Sequence, residues 1–411
     1  MYIFRNLKEA ISDCCFIWWD EMKQVVKDEG VLIFFILVPL LYPLLYSWIY
    51  NNEVVREVPV VVVDDSHSSL SRQFIRQCDA SPDVKILSHA SDLDEAKSLL
   101  SRQVARGIYY IPSDFETCVN RMEQATVSVY CDMSLMLCYK AVFQTAQTVT
   151  MQMGAAIQTR LGSHYTTREE QIAAQPLQFE DVPIFNPTGG YGSFIIPAVL
   201  MLIIQQTLVL GIGLSAGTAR ERNRYRNLIP ISRHYNGMFR IVGGKALCYF
   251  MIYAVMTAWL VLVVPRLFNF TAIGRWQDLA LFLLPYLLDC IFFGMVVSCM
   301  VRYRENVMLL MVFITVPLMF LSGAVSWPQT SIPGFWQGVA WLFPSTFGIR
   351  GYIRINEMGG TMADVLPEYH ILWLQALAYF VVACLVYRYQ IFLARSSARR
   401  RLAEIQASLR E

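Results

Sequence analysis

The chain has 411 residues, of which 55% are hydrophobic and 16% charged, where a soluble globular domain carries about 25% charged. Mean hydropathy is +0.40, and the formal net charge of +2 leaves no basic excess for nucleic acid. Collagen, a disordered tail, a coiled coil and a small disulfide scaffold are excluded, which leaves a multi-span membrane protein with a substantial water-exposed part.

Residues 1–30 predict an amphipathic helix. Phe4, Leu7, Ile11, Cys14, Trp18, Met22 and Val25 recur every three to four positions, with Lys8, Glu9, Asp13, Asp20, Glu21 and Lys23 between them. Trp18 and Trp19 suit the headgroup level, so the reading is an elbow helix in the membrane interface, with a soluble helix packed on another cytoplasmic element as the alternative. The apolar run begins only at Val31 and continues to Tyr50, which makes an uncleaved signal anchor and not a cleaved leader.

Residues 51–190 change character. Strands are predicted at Val58–Val63, Val84–Ser88, Gly107–Ile111 and Thr126–Cys131, with a returning strand at Leu177–Ile184. Helices are predicted from Ser69 to Cys78, Ser91 to Gln103, Asp114 to Glu123 and Ser134 to Leu161. Alternation of this kind implies a small α/β domain, large enough to bury its own core. Four cysteines fall here, Cys78, Cys118, Cys131 and Cys138; spacing leaves their pairing open.

Five further apolar segments follow, near Ser193–Ala216, Ala246–Val264, Leu279–Val301, Val307–Val325 and Ile371–Tyr387. The fold class is therefore a polytopic α-helical membrane protein with six transmembrane helices and an inserted α/β extracytoplasmic domain. Spans two to six occupy 191–391, and a basic tail covers 392–411. Lys and Arg number four in residues 1–30, seven in 217–245 and six in 388–411, against two each in 265–278 and 326–370. That bias puts both termini in the cytoplasm, and a long domain such as 51–190 crosses regardless of its charge.

Three groups of residues stand out. The segment 218–240, with its core Arg220-Glu221-Arg222-Asn223-Arg224 followed by Leu228 and Pro230, is short and dense in charge. It serves either as a docking helix for a cytosolic partner or as plain topogenic charge. Asp289, in the fourth span, and Gln205 and Gln206, in the second, are polar groups inside hydrocarbon. Such a carboxylate usually faces a bundle interior or wet cavity, the alternatives being a protonated, hydrogen-bonded structural Asp or a shifted span that sets it nearer an interface; the glutamines suit interhelical hydrogen bonds. Residues 327–349 are too broken to span, punctuated by Gly323 just before and by Pro328, Pro333 and Pro344, with Trp336 among them. They predict a re-entrant or interfacial helical hairpin at the outer face, with a plain amphipathic surface loop as the alternative. No Walker A loop occurs; Gly243-Gly244-Lys245-Ala246 lacks the first glycine and the Ser/Thr that holds magnesium.

Taken in order, these segments resemble the ABC-2 type permeases, in particular exporter permeases with a large extracytoplasmic domain after the first span. The resemblance rests on Val58-Pro59-Val60-Val61-Val62-Val63-Asp64, Ile111-Pro112-Ser113-Asp114-Phe115, Glu221 and Arg222 with Leu228, Pro230 and Ser232, then Gly244-Lys245. Leu321-Ser322-Gly323, Trp327-Pro328, Ile332-Pro333, Trp336 and Phe343-Pro344-Ser345-Thr346 complete it. Two departures are Phe343-Pro344 in place of Asn-Pro, and Arg222–Arg226 in place of a Glu-Gly-Thr-type run. The resemblance implies a non-enzymatic export subunit in a bacterial inner membrane, without a cofactor of its own. ATP and magnesium would sit on a separate cytosolic ABC ATPase docked at Arg220, Glu221, Arg222, Arg224, Leu228 and Pro230. It implies a second permease half, identical or a sister chain, and a periplasmic adaptor with an outer-membrane channel as further partners. The substrate class is hydrophobic or amphipathic, drug-like or lipid-like. An ATPase-coupled mechanotransmitter, or a membrane-anchored scaffold or sensor, remains the alternative.

Overall fold

A computed structural model describes residues 2–161, 184–186, 189–223, 228–230, 235, 237–300, 303–307, 309, 321–322 and 331–408. The chain divides into a helical unit, residues 1–51 with 184–411, and a second unit, residues 52–183.

In the helical unit, α1 spans Tyr2–Lys27. Five helices among the described residues are long and apolar enough to cross a membrane: α2 (Glu29–Ile49), α7 (Tyr191–Arg222), α8 (Met238–Leu267), α9 (Trp276–Met300) and the first part of α12, to Ser396. The expected span Val307–Val325 lies almost wholly outside the described residues. Each helix outruns its apolar stretch, because backbone hydrogen bonding continues past the hydrocarbon boundary. Arg220 and Arg222 form the last turn of α7, a position where cations meet the negative end of the helix dipole; of the rest of the segment 218–240, residues 224–227, 231–234 and 236 lie outside the described residues. Helix α12 runs unbroken from Leu366 to Ser408, so the basic tail begins inside it.

Two turns of α2 and α8 widen to π geometry, at Ile33–Leu37 and Trp259–Val263. Each is centred four residues before a proline, Phe35 before Pro39 and Val261 before Pro265. A proline ring clashes with the carbonyl four positions back and has no N–H to give it, so the helix relaxes there. The α2 turn delivers Phe35 into the core, edge-on to Tyr249 and Tyr253 at ring centroid distances of 5.6 and 5.4 Å. Only glycine fits opposite: a Cβ on Gly211 would lie 2.0 Å from the Phe35 ring. The main core cluster of the helical unit includes Ile17, Phe35, Leu208, Tyr249, Phe282, Tyr286 and Tyr352, and a smaller one holds Val209, Phe293 and Val297.

Of the segment 327–349, residues 327–330 lie outside the described residues, and the rest forms two consecutive helices, α10 (Gly334–Ala340) and α11 (Pro344–Asn356). The second arm extends past 349 because Phe347, Ile349, Tyr352 and Ile355 continue to bury against the core. Helix α11 packs on α7, α9 and α12.

The second unit has strands β1 (Val58–Asp64), β2 (Val84–His89), β3 (Gly107–Ile111) and β4 (Ser128–Cys131). Their order is β2-β1-β3-β4, with β1 parallel to β2 and β3, and β4 antiparallel to β3. Helices α3 (Ser69–Asp79), α4 (Leu93–Ser101), α5 (Phe115–Asn120) and α6 (Met136–Leu161) complete it. The step β1 to β2 and the return to β3 run in opposite directions across the sheet, so right-handed crossovers place α3 and α4 on opposite faces. Accordingly Val60, Val62 and Tyr109 pack with Phe74 and Val142 on one face, and Val61, Val63 and Ile108 with Ala96 on the other. The expected strand Leu177–Ile184 lies outside the described residues apart from its last position. Cys78, Cys118, Cys131 and Cys138 are free thiols.

Candidate functional site

At one end of the helical unit the start of α2, the end of α7, the start of α8 and the helix α1 meet in a lattice of charged groups. Its centre is Glu21 on α1, with no solvent exposure. Its carboxylate accepts from Ser215 Oγ on α7 at 3.0 Å, from Lys245 Nζ on α8 at 2.5 Å, and from the Tyr249 hydroxyl. Burial alone would raise the Glu21 carboxyl. The Lys245 charge and the hydrogen bonds from Lys245, Tyr249 and Ser215 outweigh that and hold it below the usual carboxylate range. Two further pairs flank it. Tyr235 OH donates to Asp20 at 2.8 Å, and Arg240 Nη1 to Asp13 at 2.5 Å. Thus α1 is tied both to the head of α8 and to the connection that precedes it.

A second node is Asp28, which caps α2 by accepting from the amides of Gly30 and Val31. It also accepts from Thr218 Oγ1 on α7 at 2.6 Å and from the Arg304 guanidinium at 2.8 Å. Burial pushes Asp28 up, but the Thr218 and Val31 hydrogen bonds and the Arg304 charge bring it below its ordinary range. The backbone amide of Arg304 donates to Glu221 Oε1 at 3.4 Å.

The buried face of α1 overlaps the expected apolar stripe only in part. Val25 of that stripe is buried and Trp18 and Met22 pack against the core, but Ile11 is 57% exposed, and Ile17 and Glu21, outside the stripe, are buried. The stripe that packs on α8 is centred on an acid, which a search for apolar periodicity passes over. The available signal was Gly243-Gly244: a Cβ on Gly244 would come within 2.9 Å of the Cys14 carbonyl, so the pair marks a close helix approach beside Lys245.

The six residues singled out for docking divide. Arg220 is buried and donates to the Cys299 carbonyl at 3.0 Å. Leu228 is 2% exposed and belongs to the core. Glu221, Arg222 and Pro230 are exposed, and Arg224 lies outside the described residues.

Among the intramembrane polar groups, Gln205 is buried and its Oε1 accepts from the Ser345 amide at 2.6 Å. It thereby satisfies a free N–H in the first turn of α11. Gln206 is half-buried. Asp289 is fully buried in α9, and neither carboxylate oxygen finds a hydrogen-bond partner among the described residues. Of the hairpin positions, Pro333 and Trp336 are exposed at the head of α10, and Pro344 is buried where α11 begins. Gly323 and Pro328 lie outside the described residues.

The lattice thus joins the amphipathic helix α1 to α2, α7 and α8. The linearmycin resistance permease protein LnrN of Bacillus subtilis (strain 168) is 22% identical over 363 residues, covering 83% of this chain and 90% of that protein. The family described as ABC-2 family transporter protein matches residues 30–385. The chain therefore belongs to the ABC-2 transporter family and has the character of a membrane permease.

Proposed function

We propose that this chain is the permease subunit of an ATP-driven exporter that moves a hydrophobic or amphipathic substrate, drug-like or lipid-like, out of the cytoplasm or inner leaflet. The observation that carries the reading is the Glu21 lattice. A push on the end of α7 reaches α1 through Ser215 and Glu21 and reaches α8 through Lys245. The lattice end is cytoplasmic in this reading, in keeping with its Lys/Arg density, and the 52–183 unit is extracytoplasmic. Both termini then lie in the cytoplasm of a bacterium, with the spans in its inner membrane.

ATP and magnesium belong to a cytosolic ABC ATPase, which docks on Glu221, Arg222 and Pro230 and on the neighbouring segment containing Arg224. Arg220 and Leu228 support that surface from beneath. A second permease half completes the translocation unit, and a periplasmic adaptor with an outer-membrane channel extends it in a two-membrane cell. The name of the Bacillus relative attaches that protein to linearmycin resistance, which supports a drug-like substrate here.

The test is co-purification in mild detergent with the ATPase subunit expressed alongside. Glu221→Lys with Arg222→Glu should release the ATPase while leaving the permease folded, because both side chains are exposed. Retention of the ATPase by that variant moves the docking surface elsewhere. A permease that recruits no ATPase under any condition sinks the exporter reading.

A further inference from the structure

At the end of the helical unit opposite the Glu21 lattice, a cavity of about 740 Å³ opens where α8 finishes and α9 begins. Arg266 and Arg275 line it together with Asn269, Gln277 and Asn356, and among the described residues no carboxylate does. Neither guanidinium makes a hydrogen bond or ion pair among the described residues. The loop that carries Arg275 is held in place: the amides of Ile273 and Gly274 donate to the Asn356 carbonyl at 2.7 and 3.1 Å. Among the described residues, two unpaired cations line one cavity with no acid beside them there, a composition that favours an anion.

The cavity continues into an apolar crevice of about 220 Å³ between α8 and α9, and the two share Val261, Leu262, Trp276 and Leu279. Val261 and Leu262 stand on the widened turn that Pro265 imposes. Small side chains keep the crevice open, and two of them, Ala258 and Ala280, are exposed on the outside of the helical unit. It runs from Trp276 to Leu287, roughly 16 Å at about 1.5 Å per residue. That is about half of a ~30 Å hydrocarbon core, the depth of one leaflet.

We propose that this cleft binds an anionic glycerophospholipid, its phosphoryl headgroup between Arg266 and Arg275 and one acyl chain along the α8–α9 crevice. The arginines supply charge-assisted, fork-shaped donors to phosphate oxygens. With no carboxylate among the described lining residues, the ammonium of a zwitterionic lipid would face the two arginine charges, which disfavours it. The crevice requires a hydrocarbon chain, which separates this ligand from a soluble phosphate.

Native mass spectrometry of the full-length chain in detergent tests this, with titrations of phosphatidylglycerol, phosphatidylcholine of the same acyl chains, and inorganic phosphate. Phosphatidylglycerol should be retained at a concentration at least about tenfold lower than phosphatidylcholine, the scale of one charged hydrogen bond. Arg266→Gln with Arg275→Gln, or Arg275→Gln alone should the pair unfold, should erase that preference. Ala280→Phe should weaken phosphatidylglycerol retention without changing the unfolding temperature. Equal retention of the two lipids, or an unchanged preference in the arginine variants, overturns the proposal. So does phosphate that blocks phosphatidylglycerol and binds the Ala280→Phe chain as well as the parent.

Discussion

Lys245 Nζ lies 2.5 Å from Glu21 Oε2, across 224 positions of sequence, with side-chain exposures of 6% and 1%. Breaking a buried pair strands the remaining charge, at a cost of roughly 3–5 kcal/mol. Glu21→Gln and Lys245→Met should each lower the unfolding temperature in detergent sharply. Glu21→Met combined with Lys245→Met should recover most of the loss, because neither charge is then left alone. Strictly additive losses would show that the two residues act separately.

Glu357, just past the end of α11, has one carboxylate oxygen buried without a hydrogen-bond partner among the described residues. Burial pushes its carboxyl up from 4.5 to about 8. The folded chain therefore holds this proton more tightly than the unfolded chain does. The stabilisation is complete below about pH 4.5 and is lost as the pH rises through about 8. Unfolding temperatures measured across that interval should fall for the parent, and Glu357→Gln should remove this component. An identical slope in both chains would assign the pH dependence to other groups.

At Gly211 the Phe35 ring leaves no room for a side chain. Gly211→Ala should destabilise by about 1–3 kcal/mol through overpacking. Phe35→Leu introduced into the same chain should return part of that loss, since the obstructing ring is gone. Comparison of the two unfolding curves measures the relief directly, and an absence of relief would place the strain elsewhere.

Gln205 holds the first turn of α11 through the Ser345 amide. Gln205→Leu should orphan that N–H at a cost of about 1–3 kcal/mol, with faster hydrogen exchange at Ser345 and Thr346. Gln206→Leu next door should change stability by less than about 0.5 kcal/mol. Equal effects at the two positions would mean that the Ser345 bond is not the cause.

The α/β alternation of residues 58–161 and the apolar helices were legible from the sequence alone, because both are local properties. A strand such as Gly107–Ile111 is bounded by its own turn residues and occupies the span its letters predict. Hydrocarbon thickness demands a length of apolar helix that any window of sequence displays.

Tertiary structure alone decided which polar residues matter. Glu21 looked like one more acid on a solvated face until α8 brought Lys245 against it. Arg220 and Arg222 are neighbours in sequence, but helical rotation buries one against Cys299 and exposes the other. Arg266 and Arg275 converge on one cavity only because α8 and α9 pack side by side and Asn356 holds the loop between them. The physical reason is common to all three: charge inside or beside a membrane is tolerated only through its partners, and the partners are chosen by packing across distances that sequence spacing does not encode.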